Sequence, residues 1–181
     1  MPEGSGSYAL FWPLVHHYGV TADNFQVTPQ TPEIAYETLL AGEAEALFRV
    51  MTLGNPTMQA VLQNEAIQLL AIDQVEALQL SLPYLEAQTI PKGTYEGGRP
   101  LPAQDLSVVA VNALLVIHEN MPDEVAHALT NTLYTHRNEL VTRYPRAALI
   151  RLPDSGNDLG LPLHPGAQAF LADLYWRGRY T

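Results

Sequence analysis

The stretch Gly4–Tyr8, GSGSY, has the residue types of an anion-binding turn ahead of a helix. Its glycines let the backbone approach a ligand, and Ser5, Gly6 and Ser7 place hydroxyl and N–H donors at the positive end of the helix dipole. These residue types are those of a cradle for a carboxylate or a phosphate. An alternative stays open, in which Ser7 only caps the helix and the glycines form an ordinary loop.

Arg49 interrupts the apolar run Glu45–Met51, just before the turn Leu53–Pro56. Ligands bind at strand ends in α/β sheets, and a guanidinium there can hold a carboxylate with two hydrogen bonds. Pairing with an internal Asp or Glu is an equal alternative for a buried arginine. Asn55 and Pro56 start the next predicted helix and offer amide and backbone donors nearby, although Asn-Pro is also a good turn.

The remaining titratable residues do not form a recognisable catalytic or metal-binding set. His127 and His136 fall on opposite faces of a helix, and the adjacent His16 and His17 point in different directions. The chain has no cysteine and contains no HExxH, GxSxG or SxxK motif. We therefore expect no enzyme activity, no metal and no cofactor.

His164 precedes Pro165 and Gly166 in the segment PLHPGA. Proline fits the first turn of a helix, and glycine allows another backbone to approach that turn. The sequence predicts that His164 caps or packs at this helix start, with a direct ligand contact as the minor alternative.

Composition and charge limit the kinds of partner. The chain has 181 residues, 47% of them apolar, and a formal charge of −10 from 19 acidic and 9 basic side chains. This composition indicates a compact folded chain, and its charge repels phosphate backbones, so we expect no nucleic-acid partner. A small anionic ligand remains compatible, because binding depends mainly on groups within ~4–6 Å. No apolar run approaches the ~20 residues of a transmembrane helix, and the N-terminus lacks the pattern of a signal peptide.

Apolar runs and helix punctuation alternate along the first half of the chain. The predicted strands are Asn24–Thr28, Glu45–Met51 and Ile67–Ile72, each followed by a predicted helix. This order predicts βαβ units, a parallel sheet and an α/β fold class. The first predicted helix contains Pro13, which should kink it or tighten its first turn.

The second half begins with a connector rich in Gly and Pro over Tyr84–Asp105. The run Leu106–Ile117 reads as one crossing strand or as two strands joined at Asn112. A helix from Pro122, continuing to about Leu140 or beyond, is expected to bury three apolar residues, Val125, Leu129 and Leu133. The last predicted helix presents Ala169, Leu171, Leu174 and Tyr175.

Several of these segments together resemble a known family. The segments GSGSY, LLAGEAEALFRVMTLGNP, IPKGTYEGG, VVAVNALLV and PLHPGA are similar in order and spacing to the C-terminal part of the TAXI family of TRAP-transporter solute-binding proteins. IPKGTY and PLHPGA are the specific motifs. Three segments, FRV (48–50), GNP (54–56) and DQVEAL (73–78), look most like the subset of this family in which the binding domain is tied to membrane helices.

The resemblance implies a periplasmic-binding-protein-like (type II) two-lobe architecture. Residues 3–98 would form the second α/β lobe with its ligand-facing loops, and residues 99–181 the return crossing and the C-terminal elements of the first lobe. Such a protein is periplasmic or otherwise extracytoplasmic, and is membrane-anchored in the tethered subset. It closes on a small organic anion, such as an amino acid, a 2-oxo acid or a dicarboxylate, and passes it to TRAP membrane permease subunits.

Site residues follow from the same resemblance. The turn Ser5–Ser7 and the strand end Arg49–Pro56 would face the cleft, and Tyr95 would lie where the chain returns towards the first lobe. The family's N-terminal region has no counterpart here, so the resemblance implies one complete lobe plus part of the other, with uncovered apolar surface that favours a dimer. An alternative function is a membrane-tethered periplasmic sensor or interaction domain that keeps the fold without transport.

Overall fold

A computed structural model of the chain describes residues 2–95, 97–152 and 160–177. The chain divides into two compact units, which we call unit 1 (Met1–Val111) and unit 2 (Asn112–Thr181). This is a division by internal packing, and the predicted lobes 3–98 and 99–181 stay a prediction. Within the part that the structure describes, no helix has both the length and the apolar character needed to cross a bilayer.

The described part of unit 1 contains four helices and a two-stranded sheet. The helices are α1 (Gly6–His17), α2 (Pro32–Leu40), α3 (Pro56–Val61) and α4 (Val75–Ser81), and the strands are β1 (Glu86–Ile90) and β2 (Leu106–Ala110). The two strands are antiparallel, with Glu86 opposite Ala110 and Ile90 opposite Leu106. Helix and strand are therefore mixed, as expected, but the sheet is small.

The predicted parallel sheet is wrong for the described residues. Segments 24–28, 45–51 and 67–72 form no strand ladder, whereas β1 lies in the stretch expected to be a connector. One hydrogen bond, from the Ile72 N–H to the Ser107 carbonyl at 2.9 Å, brings the third segment to the edge of β2. An apolar run reports a preference for burial, but a ladder also needs a partner strand in register, which the run itself does not specify.

An apolar core holds unit 1 together. Its buried members are Leu10 and Leu14 of α1, Leu78 of α4, and Leu85. Partly buried side chains pack around them, namely Phe48, Val50, Ile72, Leu82 and Val109. The second and third predicted strand segments therefore supply core residues, as their composition predicts, although they lie outside any sheet.

The ends of α2 follow the local sequence. Thr31 is the N-cap residue, Pro32 opens the helix, and Gly42 follows its end with φ of +74°. A positive φ is accessible to glycine without the steric cost that a Cβ brings. The backbone N–H of Gly42 donates to the Leu39 carbonyl at 3.1 Å, which satisfies a free helix-end acceptor.

Helix α1 differs from its prediction in two ways. Its N-cap is Ser5, not Ser7, and it runs through Pro13 as one helix to His17. The buried residues Leu10 and Leu14 flank the proline, so packing on the core holds the helix where one backbone hydrogen bond is lost.

The described part of unit 2 consists of helices and connecting chain. These are α5 (Asp123–Thr135), α6 (Arg137–Arg143), a 3₁₀-helix (Pro145–Leu149) and α7 (Pro165–Arg177). Helices α5 and α7 pack against each other. The helix predicted from Pro122 to Leu140 or beyond is thus two helices, which meet at His136.

The predicted buried face of α5 is wrong for two of its three residues, whereas Leu133 is half-buried. Val125 and Leu129 are each 45% exposed, whereas Ala126 is 1% exposed. The cause is a close approach between the starts of α5 and α7, where a Cβ on Gly166 would lie 2.1 Å from the Asp123 carbonyl oxygen and 3.0 Å from the Ala126 Cβ. Small residues permit this approach and turn the larger apolar side chains away from it.

The buried face of α7 is partly as predicted. Leu171 is buried, and Phe170, which the prediction omitted, is buried beside it. Ala169 and Tyr175 are exposed, so two of the four expected residues lie on the wrong side. A single apolar stripe therefore did not describe this helix.

Candidate functional site

Ser5 uses its hydroxyl group in local hydrogen bonds at the start of α1. Its Oγ accepts from the Tyr8 N–H at 3.2 Å and donates to the Pro2 carbonyl at 2.8 Å. The N–H groups of Gly6 and Ser7 have no hydrogen-bond partner in the described residues, as is normal for the first residues of a helix. If this turn binds a ligand, these two N–H groups are its unpaired donors, and the Ser5 hydroxyl is already in use.

A hydrogen bond to Ser7 links α1 to the segment that carries Arg49. Its side chain is buried, and its Oγ accepts a hydrogen bond from the Val50 N–H at 3.0 Å. The structure therefore brings together the serine turn and the arginine segment, which lie far apart in the sequence. The Ser7 hydroxyl is therefore used within the fold.

Arg49 lies between two side chains of the core. Phe48 and Val50 both pack against the apolar cluster, and Arg49 itself is half-buried. Its Nε is buried with no hydrogen-bond partner, and no Asp or Glu in the described part of the chain pairs with its guanidinium. A buried donor without a partner costs about 1–3 kcal/mol. Of the two alternatives left by the sequence, the described residues do not show the internal ion pair.

Asn55 and Pro56 start helix α3. The Asn55 Oδ1 accepts from the Thr57 N–H at 2.9 Å and from the Met58 N–H at 3.3 Å, and Pro56 occupies the first turn. No hydrogen bond joins Asn55 to the serine turn or to Arg49 in the described residues. Helix capping thus accounts for the type of both residues, and their contact with a ligand remains a prediction.

Tyr95 lies inside unit 1, at 3% exposure, in the turn that follows β1. Its N–H donates to the Leu101 carbonyl at 2.8 Å, and the Gly93 N–H donates to the Pro102 carbonyl at 3.1 Å. The Lys92 N–H donates to the Asp105 Oδ1 at 2.8 Å. The IPKGTY motif therefore builds the link between the two strands, and the predicted ligand contact of Tyr95 is not tested by these bonds.

The sequence of the chain matches the model of a known protein family. The model of the NMT1-like family matches residues 2–173. The chain belongs to the NMT1-like family. This is a periplasmic-binding-protein-like family, which supports a solute-binding, periplasmic type of protein. The match covers most of both units.

His164 caps the last helix of this NMT1-like chain, as its position before Pro165 predicts. Its Nδ1 accepts from the Gly166 N–H at 3.2 Å and lies 3.7 Å from the Asp123 Oδ1. The side chain is only 6% exposed, and its Nε2 is buried without a partner. The close packing expected at Gly166 is confirmed, since a Cβ there would collide with the backbone of α5.

Sequence reasoning missed a group of polar and aromatic residues in unit 2. His127, Asn131 and Tyr134 occupy one face of α5 and line a cavity of about 550 Å³ beside α7. Burial, and then the charge of nearby Tyr175, raise the pKa of Tyr134, so its hydroxyl stays protonated over a wider pH range. The i, i+4, i+7 spacing of these residues would have indicated the face. In the described part of the chain, no cluster of three or more His, Asp, Glu or Cys residues is placed to hold a metal ion.

Proposed function

We propose that this NMT1-like chain is the solute-binding component of a TRAP-type transporter of the TAXI kind, and that it binds a small organic anion. The family match supports a solute-binding protein in general. The observation that carries the anionic ligand is the buried, unpartnered Nε of Arg49 in a segment tied to the start of α1.

The proposed site combines two sources of positive potential. The N–H groups of Gly6 and Ser7 lie at the positive end of a helix of 12 residues, and Arg49 contributes a full charge. A carboxylate that accepts from both replaces hydrogen bonds that the described residues leave unmade. Charge-assisted bonds of this kind are about twice as strong as neutral ones.

Binding in such a protein couples to closure of two lobes around the ligand. Closure would remove water from the carboxylate and its donors, which strengthens each electrostatic contact.

The chemistry of the site agrees with three ligand classes: amino acids, 2-oxo acids and dicarboxylates. All carry a carboxylate for the helix start and Arg49, and the remaining walls would choose among them. We further propose TRAP permease subunits as the membrane partner and the periplasm as the location, on the strength of the family likeness.

Calorimetric titration of the protein with L-glutamate, 2-oxoglutarate and succinate tests the site. Whichever of these anions binds, Arg49→Ala should lower its affinity by roughly 10–100-fold, because a charged hydrogen bond in a partly buried site is lost. Arg99→Ala is the matched control, since Arg99 lies exposed in the same unit and the variant makes the same charge change.

If Arg49→Ala binds the anion with unchanged affinity, Arg49 has a structural role only, and the proposed mechanism of anion binding is wrong. Uptake of the bound anion by cells, compared with cells that lack the gene, tests transport separately. Binding without any effect on uptake would favour the sensor or interaction domain over the transporter.

A further inference from the structure

Unit 2 contains a cavity that the anion site does not use. It lies between α5, α7 and residues 150–152 and has a volume of about 550 Å³, within the range of small-molecule sites. All of its lining belongs to unit 2, whereas Arg49 and the serine turn belong to unit 1.

One side of this cavity is aromatic and apolar. The rings of Tyr134 and Phe170 are stacked, with centroids 5.8 Å apart and planes 6° apart. His127 meets Phe170 edge-on at 5.7 Å, and Leu174 also lines the space. A flat apolar group of a ligand would find complementary surface here.

A carboxylate lines the α7 side of the same cavity. The Asp173 Oδ2 lies 4.0 Å from the His127 Nε2, and its side chain is 65% exposed. No Lys or Arg in the described residues pairs with Asp173, so its charge is available to a cation.

Positive and neutral donors also line this cavity. The Arg137 guanidinium donates to the Ile150 carbonyl at 2.6 Å and to the Ala148 carbonyl, and no carboxylate in the described residues balances its charge. Asn131 accepts from the Thr135 hydroxyl at 3.1 Å through Oδ1, and its amide N–H groups have no partner in that part of the chain.

We propose that this cavity binds a zwitterionic α-amino acid with an apolar or aromatic side chain. The ammonium group pairs with Asp173, the carboxylate meets Asn131 and Arg137, and the side chain packs along Tyr134 and Phe170. A dianion would be repelled by Asp173, and a simple amine would be repelled by Arg137. A zwitterionic amino acid with an apolar side chain offers a complementary group to each of these residues.

Titration of the ¹⁵N-labelled protein with L-phenylalanine, followed by NMR, tests the proposal. Binding should be weak, on the order of millimolar, because the site is open and the ligand small. Shifts should concentrate on α5 and α7. Two probes, 3-phenylpropionate and phenethylamine, each lack one charge and should bind several-fold more weakly.

Asp173→Asn should weaken the binding of L-phenylalanine roughly threefold to tenfold. The effect is modest because the lost ion pair is largely exposed to solvent. The same variant should bind L-phenylalanine and 3-phenylpropionate about equally. Glu124→Gln, an exposed carboxylate on α5 with the same charge change, is the control that should leave affinity unchanged.

The outcome is independent of the anion site. Arg49→Ala should keep L-phenylalanine binding in unit 2, and Asp173→Asn should keep any succinate binding in unit 1. Absence of L-phenylalanine binding, binding of equal strength in Asp173→Asn, or loss of binding in Arg49→Ala would each overturn the proposal.

Discussion

The two units of this chain are held together by different means. Unit 1 surrounds a cluster of buried leucines, whereas the described residues of unit 2 bury only three apolar side chains: Ala126, Phe170 and Leu171. Close approach of small residues and hydrogen bonds to backbone carbonyls take the place of a leucine core in unit 2. In both units, the candidate site lies next to the packed apolar residues rather than among them. Arg49 lies at the edge of the unit 1 core, and the unit 2 cavity lies beside the contact of α5 and α7.

The largest effect is expected from truncation of the unit 1 core. Leu78 is 0% exposed, so Leu78→Ala should lower the free energy of unfolding by about 2–5 kcal/mol through lost burial and a residual cavity. Leu80→Ala on the same helix is the control, because Leu80 is 89% exposed. Urea denaturation followed by circular dichroism measures both. Equal losses in the two variants would mean that the leucine cluster does not hold unit 1.

The next effect tests the close helix contact in unit 2. Gly166→Ala should lower the free energy of unfolding by about 1–3 kcal/mol, because its Cβ would meet the rigid backbone at Asp123. Gly6→Ala is the matched variant in unit 1, where a Cβ meets nothing within 4 Å. It should be neutral or slightly stabilising, since alanine restricts the unfolded chain. Thermal melts compare the stability of both variants with that of the parent protein. A Gly166→Ala variant as stable as the parent would contradict the packing of α5 on α7.

The smallest effect is a pH dependence at the surface of unit 1. Burial first, and then hydrogen bonding to Asp73, raise the pKa of Tyr18 above its usual value of 10.0. The folded state therefore keeps a proton that the unfolded state loses. Stability from this group is fully present below about pH 10 and is lost as pH rises through the folded-state pKa.

Tyr18→Phe should reduce the loss of stability above pH 10, and only slightly, because Tyr18 is 40% exposed. Tyr134→Phe is the comparison in unit 2, where burial also raises the pKa of the phenol. Denaturation at several pH values between about 9 and 11.5 measures the slope. A slope in Tyr18→Phe equal to that of the parent protein would show that Tyr18 does not contribute to it.

Local features of the fold were predictable because their causes are local. The start and end of α2 follow from Thr31, Pro32 and Gly42, and the cap at the start of α7 follows from the His-Pro-Gly order. In each case the hydrogen bonds run between residues a few positions apart. The N-cap of α1 has a different cause: Ser5 and Ser7 are both suitable caps, and the buried Ser7 hydroxyl is instead used by the Val50 N–H, which is distant in sequence.

The sequence by itself determined which segments carry core residues, where most helices begin, and that Arg49 interrupts an apolar run. Only the tertiary structure decided the strand pairing, the buried face of α5 and the absence of an internal ion pair for Arg49 in the described residues. The reason is physical. Caps and turns are fixed by neighbours along the chain, whereas strand partners, helix faces and charge pairs depend on contacts between residues that are distant in sequence.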